Sequence, residues 1–252
     1  MTLRLPALLL LLLCAACASA PREAPVLCVA SDLDNPPFAG VDGAGVAYGH
    51  DVELMTELAR RIGRRLVWER MPFGELLPAV EAGEVDAVCA TLGITPERSE
   101  RVGFTRPYFR TAIAVVVRTG PGEPTSMAEL AGLRVSGAQG TTAARAVLTH
   151  LPDALAVTSG PKDSPTRERL LSAAIDAAVM DGPAADALVA GADGRLARLP
   201  RALDAENYGI ALPKKRRDLL IELDHALGEL ERTGWLAKLD ARHGLEPSGE
   251  RN

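Results

Sequence analysis

Aromatic residues are scarce in this 252-residue chain, at 4%, and no basic stripe interleaves with them. That argues against a nucleic-acid groove, which needs stacking platforms beside phosphate contacts. The formal net charge of −5 points the same way. Histidine is thin as well: His50, His150, His225 and His243 fall at no metal-ligand spacing and have no cysteine companions, so no metal site is expected. Gly40, Gly43 and Gly45 make no dinucleotide fingerprint, no phosphate-loop motif occurs, and there is no G-x-S-x-G elbow. No cofactor and no catalytic residue is expected. What remains, at 47% hydrophobic and 24% charged, is the composition of a folded protein with one large domain or two modest ones.

Long apolar runs are missing beyond the N-terminus. There, Arg4, an apolar run over 5–13 and the small residues Ala15, Ala16, Ala18 and Ala20 have the form of a secretory signal. The run is too short for a comfortable membrane span. Residues 1–20 are expected to direct export. Two cleavage readings compete: Ala18-Ser19-Ala20 suits a signal peptidase although Pro21 would follow the cut, whereas Cys14-Ala15-Ala16-Cys17 resembles a bacterial lipoprotein box with Cys17 as the lipidated residue. Its departure is Cys14, where Leu is usual. Only Cys28 and Cys89 then stay in the mature chain. The compartment permits them to pair, and two buried free thiols is the simpler reading.

Along the chain, residues 26–30 (VLCVA) form a short apolar run that predicts a buried parallel strand. A carboxylate-rich loop with Asp32, Asp34, Asn35 and the Pro36-Pro37 pair follows, then a turn-rich surface loop over 40–49. From Asp51 the spacing of Val52, Met55, Ala59 and Ile62 predicts an amphipathic helix that Gly63 ends. A strand over 66–69, Phe73 on a loop, and a helix over 75–82 lead to the stretch that organises the rest.

That stretch, residues 84–109, reads EVDAVCATLGITPERSERVGFTRPYF. It predicts a buried strand over 85–90, a polar crossing at Thr91 and Gly93, and a helix start that presents Arg98. In open α/β sheets ligands collect where strand ends meet helix starts, so Arg98 is expected to anchor a small-molecule cleft. The run 112–117 (AIAVVV) is the first candidate crossing between lobes. A second α/β series follows: a helix over 126–131, a strand over 133–136, a helix over 141–151, a strand over 154–158, a helix opened by Ser164 and Pro165, a strand over 176–180 and a helix over 184–190. Residues 207–212 (NYGIAL) are the second crossing, and two helices over 217–232 and 235–242 close the chain. The expected architecture is α/β with two lobes, each a mostly parallel sheet with flanking helices. Lobe 1 takes 26–112 and 209–245, lobe 2 takes 113–208, and 246–252 is a disordered tail.

These motifs, in order, resemble the bacterial extracellular solute-binding proteins of family 3, the substrate-capturing subunits of polar amino-acid ABC transporters. Gly49-His50-Asp51-Val52-Glu53-Leu54, Phe73-Gly74-Glu75-Leu76-Leu77-Pro78, Leu130-Ala131-Gly132-Leu133-Arg134-Val135, Gln139-Gly140-Thr141-Thr142, Ala177-Ala178-Val179-Met180-Asp181 and Tyr208-Gly209-Ile210-Ala211-Leu212 carry the likeness beside the opening stretch. The resemblance implies a type II periplasmic binding fold hinged on two crossover strands. It also implies a small polar solute, with an amino acid expected, a membrane permease as partner, a periplasmic location and a monomer. By the same resemblance Arg98 clamps the ligand carboxylate with help from Thr91, Gly93 and Thr142, Asp181 takes the ammonium, and Phe73 covers the side chain. The chemistry stands on its own as well: a planar guanidinium suits a carboxylate, an acid across the cleft selects a zwitterion, and Thr141 and Thr142 open a helix whose N-terminus favours an anion.

Each residue has a plainer role open to it. Arg98 could be an exposed helix charge, Asp181 a turn former or cap, Phe73 a core residue, and Thr141 and Thr142 caps. Asp32 could bind a basic group or be a solvated turn residue. The chain departs from the family at Asn35, where Tyr is frequent, at His50, where Phe is frequent, and at Gly93, where a hydroxyl is frequent. A rival reading is a periplasmic cyclohexadienyl or arogenate dehydratase on the same scaffold, which needs a proton donor in the cleft that no residue is specifically disposed to supply. A third is a solute sensor without transport.

Overall fold

The computed structural model describes residues 24–160 and 163–246. The signal, Cys17 and all of the expected tail except Glu246 lie outside them. The first sheet is built outward from β1 (Val26–Ser31), whose unbroken apolar run fits a strand covered on both faces. It pairs in parallel with β4 (Arg65–Arg70) and β5 (Ala87–Val88). Helix α1 (His50–Arg61) connects β1 to β4, preceded by a small ribbon of β2 (Gly40–Val41) and β3 (Ala47–Tyr48) where the sequence predicts a plain loop. α1 has Asp51 and Glu53 in its first turn and Arg60 and Arg61 in its last, matching the helix dipole at both ends. Helix α2 (Phe73–Ala82) stops at Gly83, held at φ 79°. Phe73 is thus the first residue of a helix and not a loop residue. α3 (Pro96–Arg101) and β6 (Gly103–Phe104) complete this part of the chain.

The chain then leaves on β7 (Phe109–Arg118), which spans the hinge and runs into the second sheet. After a 3-10 turn (Met127–Leu130), where the sequence predicts a helix, come β8 (Arg134–Ala138), α4 (Thr142–His150), β9 (Leu155–Ser159), α5 (Thr166–Leu171), β10 (Ala177–Asp181), α6 (Gly182–Ala190) and β11 (Leu196–Arg198). Pro165 precedes α5 and is not its first helical residue. The return is β12 (Asp204–Tyr208), antiparallel to β7 with Phe109 opposite Tyr208 and Thr111 opposite Glu206. β13 (Ala211–Leu212) rejoins the first sheet, and α7 (Arg217–Arg232) and α8 (Trp235–Arg242) cover it.

Sheet order is β4-β1-β5-β13-β6 in the first lobe and β11-β7-β10-β8-β9, with β12 beside β7, in the second. Both sheets are mixed. The parallel core of each comes from strands joined through helices, and the antiparallel partners are the strands that pass through or leave the hinge. Each sheet has a core on both faces. In β7 the alternation is explicit: Ile113, Val115 and Val117 enter the cluster under α4, and Ala114 and Val116 the one under α5 and α6. The segment 207–212 is two short strands and not one, since the chain bends at Gly209 and Ile210 to change sheets. Cys28, partly buried, and Cys89, fully buried, are both free. Burial pushes both thiols up, so neither is reactive. Among the described residues no helix is long and apolar enough to cross a membrane.

Candidate ligand cleft

Arg98 is placed by a short helix with a well-defined start. Thr95 caps α3 by accepting from the Arg98 backbone N–H at 3.1 Å, and Pro96 sits in the first turn. The guanidinium then reaches across the lobes: Nη1 donates to the Gly93 carbonyl at 2.8 Å and Nη2 to the Gly140 carbonyl of the second lobe at 3.0 Å. Burial draws its pKa down, with Glu206 the largest opposing charge.

The facing wall is the N-terminus of α4. Gly137 on β8 lets this helix pack close, because a Cβ there would lie 2.6 Å from the Ala144 Cα. Thr141 caps α4, accepting from the Ala144 N–H at 3.2 Å and donating to the Ala138 carbonyl at 2.7 Å, so its hydroxyl is committed to the helix. Thr142 is differently disposed: its hydroxyl donates to a carboxylate oxygen of Glu206.

Asp181 ends β10 and occupies the N-cap position of α6, yet makes no side-chain capping bond. Its carboxylate instead accepts from the Tyr208 hydroxyl at 2.6 Å. Burial raises its pKa, opposed by the hydrogen bonds of Tyr208 and Glu206 and by the charge of Arg98. Arg98, Gly93, Thr142 and Asp181 are therefore brought to one place, and Glu206 lies in their midst.

Glu206 is the residue that sequence reasoning misses. It is only 5% exposed, and burial, then the charge of Asp181, push its carboxyl up to about 8. The available signal was alternation: with the return strand begun two residues earlier, Glu206 and Tyr208 share one face, and these are the two buried positions of β12. Glu206 also accounts for Gly93, since a Cβ there would run into the Glu206 carboxylate and lie 3.1 Å from the Thr142 methyl. The glutamate is pinned by Thr142, so it has little room to yield. Gly93→Ala is expected to cost the ligand-free protein about 1–3 kcal/mol, the usual scale of overpacking, and to weaken ligand binding as well. Calorimetric titration beside chemical denaturation separates the two.

The remaining predicted residues lie at the margins. Thr91 forms the floor in the left-handed region at φ 48°. Its N–H donates to Asp51 at 3.2 Å, and its hydroxyl accepts from Asn35 Nδ2 at 3.0 Å. Asn35 thus ties down the Thr91 side chain. Phe73 is half-buried against the first-lobe cluster of Leu76, Val80 and Val88. Asp32 follows β1, and burial together with Asp34 raises its carboxyl.

Two mixed sheets on two antiparallel crossing strands, with an arginine from one lobe and an acid from the other meeting at the strand ends, define a two-lobed binding protein of type II architecture. The match to the bacterial extracellular solute-binding proteins, family 3, runs over residues 27–246, and the chain belongs to that family. The histidine-binding periplasmic protein of Salmonella typhimurium LT2 is 28% identical over 239 residues, 91% of this chain and 90% of its own. The putative ABC transporter arginine-binding protein 2 of Escherichia coli K12 is 32% identical over 135 residues, 54% of either chain. Among solved structures, an ancestral arginine-binding protein bound to arginine has a TM-score of 0.79 at 29% identity, with 88% of this chain and 99% of that one covered. An ancestral amino acid-binding protein described as a precursor of cyclohexadienyl dehydratase has a TM-score of 0.77 at 25% identity, with 86% and 94% covered.

Proposed function

We propose that this protein captures an α-amino acid by closing two lobes over it and presents it to an ABC permease. The observation that carries the reading is the opposition of Arg98 and Asp181 from different lobes at the strand ends. A carboxylate on the guanidinium and an ammonium on the acid would link the lobes only when both ends are present. Such a ligand favours the closed form by its extra contacts there. The relatives named above for histidine and arginine support a periplasmic location and a permease partner. We assign 26–112 and 209–245 to lobe 1 and 113–208 to lobe 2, with Thr91, Gly93 and Thr142 lining the cleft, Phe73 and Asp32 at its side-chain end, and the protein acting as a monomer.

A thermal-shift panel of amino acids tests the reading, because a ligand at about 100 times its Kd stabilises the native state by about 2.7 kcal/mol. A panel in which no amino acid raises Tm would refute it. Asp181→Asn is expected to weaken an amino acid by about 1.5–3 kcal/mol, the range for hydrogen bonds to charged groups. The α-hydroxy acid of the same side chain, which has no ammonium, should be nearly unaffected. Titration of both ligands against both proteins checks it.

The dehydratase reading gains one feature over the sequence: Glu206 is a buried carboxyl that burial and Asp181 push up to about 8. We nevertheless read the site as binding without chemistry, since Glu206 is tied to Thr142 and Asp181. Incubation with prephenate and arogenate is expected to give no turnover, and measurable product would reverse the assignment.

A further inference from the structure

Recognition of an amino acid calls for one acid opposite Arg98, and the cleft has two. Glu206 comes from the hinge strand β12, is 5% exposed, and accepts from Thr142 through one carboxylate oxygen. Its other oxygen, Oε2, is buried and meets no donor among the described residues. The Asp181 carboxyl, held by Tyr208 on the same face of β12, is the neighbouring acid, and the two lie in each other's field. Two carboxyls so placed resist ionising together, which favours a proton on one of them.

Among the described residues no ion pair to this second acid is formed by the cations of α3 and α4. From α3 come Arg98, which is bonded to two carbonyls, and Glu97. From α4 come Thr142 and the half-exposed Arg145, which lies 3.7 Å from Glu97. From β10 comes Asp181. β7 presents Thr111 opposite Glu206, with Arg110 on the other face by alternation. On β12 itself, Tyr208 is bonded to Asp181, and Asp204 faces His150 at 3.4 Å. The buried acceptor is therefore left without a donor beside the acid assigned to the ammonium.

We propose that Glu206 and Asp181 together form a two-carboxyl clamp that holds one proton while the cleft is empty and gives it up to solvent when a ligand ammonium enters. Glu206 thereby becomes a specificity-determining residue for ligands with an ammonium group. The inference rests on the amino-acid reading. In the exchange no covalent bond of the ligand changes: the ammonium keeps its three N–H groups, donates to both carboxylates, and the displaced proton leaves to water. A unit positive charge beside the pair favours the doubly ionised state, by several kcal/mol at the effective dielectric of partly buried sites. Binding then strengthens as pH rises toward 8, where the empty pair loses its proton unaided. The slope is at most about ten-fold in affinity per pH unit. Carboxylic acids without an ammonium give no such slope.

The test is isothermal titration calorimetry of the exported, processed protein with L-arginine, L-histidine and L-glutamine, in phosphate and in Tris at pH 7. For whichever probe binds, the apparent enthalpy is expected to differ between buffers by the equivalent of most of one released proton, and affinity should rise from pH 6 to pH 8. Glu206→Gln should bind about ten-fold or more weakly at pH 8, with neither buffer nor pH dependence. Binding without proton release in the wild type, or undiminished release in Glu206→Gln, overturns the clamp. Should Glu206→Gln not fold, Thr142→Val removes the hydroxyl that supports the ionised form and should move the pH dependence upward; an unmoved profile counts against the proposal. If none of the three probes binds, the amino-acid reading fails separately, and the proton is sought in the ligand-free protein by infrared spectroscopy. A protonated-carboxyl absorption at pH 7 that Asp181→Asn shifts supports the pair, and its absence overturns it.

Discussion

Arg98→Ala binds the amino acid that stabilises the wild-type protein about 30-fold or more weakly, a loss of about 2–5 kcal/mol, the range for truncating one partner of a buried charge pair. The size follows from what the substitution strands. A ligand carboxylate in the cleft would keep its negative charge in a site already holding Asp181 and Glu206, with the one guanidinium gone. The empty protein loses less: Arg98 donates there to two neutral carbonyls, of Gly93 and Gly140, and bonds of that kind net about 1 kcal/mol each. Arg98→Lys recovers only part of the affinity, since a point charge cannot reproduce a planar fork. Calorimetry on all three proteins decides the matter, and an Arg98→Ala variant that binds like the wild type would remove Arg98 from the site.

His50→Ala lowers the stability of the protein by about 2–5 kcal/mol, since two buried carboxyl groups each lose a hydrogen-bond partner at about 1–3 kcal/mol apiece. His50 is 0% exposed. Its Nδ1 lies 3.1 Å from Asp51 and its Nε2 2.9 Å from Asp240, so both ring nitrogens are within hydrogen-bond reach of buried carboxyl groups. The ring also packs edge-on against Phe38 at 5.4 Å. Asp51 would keep the Tyr108 hydroxyl at 2.8 Å and the Thr91 N–H. The damage therefore falls mainly on Asp240 and on the joint between α1 and α8. His50→Phe separates the contributions, for it retains a ring and removes both nitrogens; it should fall between the wild type and His50→Ala in denaturant midpoint. If His50→Phe proves as stable as the wild type, the ring packs but its two hydrogen bonds do not matter.

The alternation of strand and helix was legible because each apolar run is short, continuous and bounded by turn formers, as at 26–30 and Gly63. Arg98 was legible because a capped helix start follows a buried strand. Glu206 was not, since in ALDAENYG its alternation with Tyr208 marks it as buried only once the strand is known to begin at Asp204, which the pairing of β12 with β7 shows. Direction was equally hidden. Whether a strand enters its sheet parallel or antiparallel depends on how the chain returns through the hinge, and the local apolar pattern of 211–212 is the same either way. Thr141 and Thr142 show the resolution limit of a motif: adjacent, identical residues have different partners because one sits at the cap and the other one position further round the helix.

Both tryptophans belong to the first lobe, Trp68 on β4 and Trp235 on α8, and both pack against its core. The rings at the hinge are Phe38, Tyr108, Phe109 and Tyr208, with Phe109 and Tyr208 stacked at 5.9 Å. Indole emission will thus be nearly silent on lobe closure. The expected optical reporter of a captured ligand is tyrosine, above all Tyr208, whose hydroxyl touches Asp181, the acid proposed to take the ammonium.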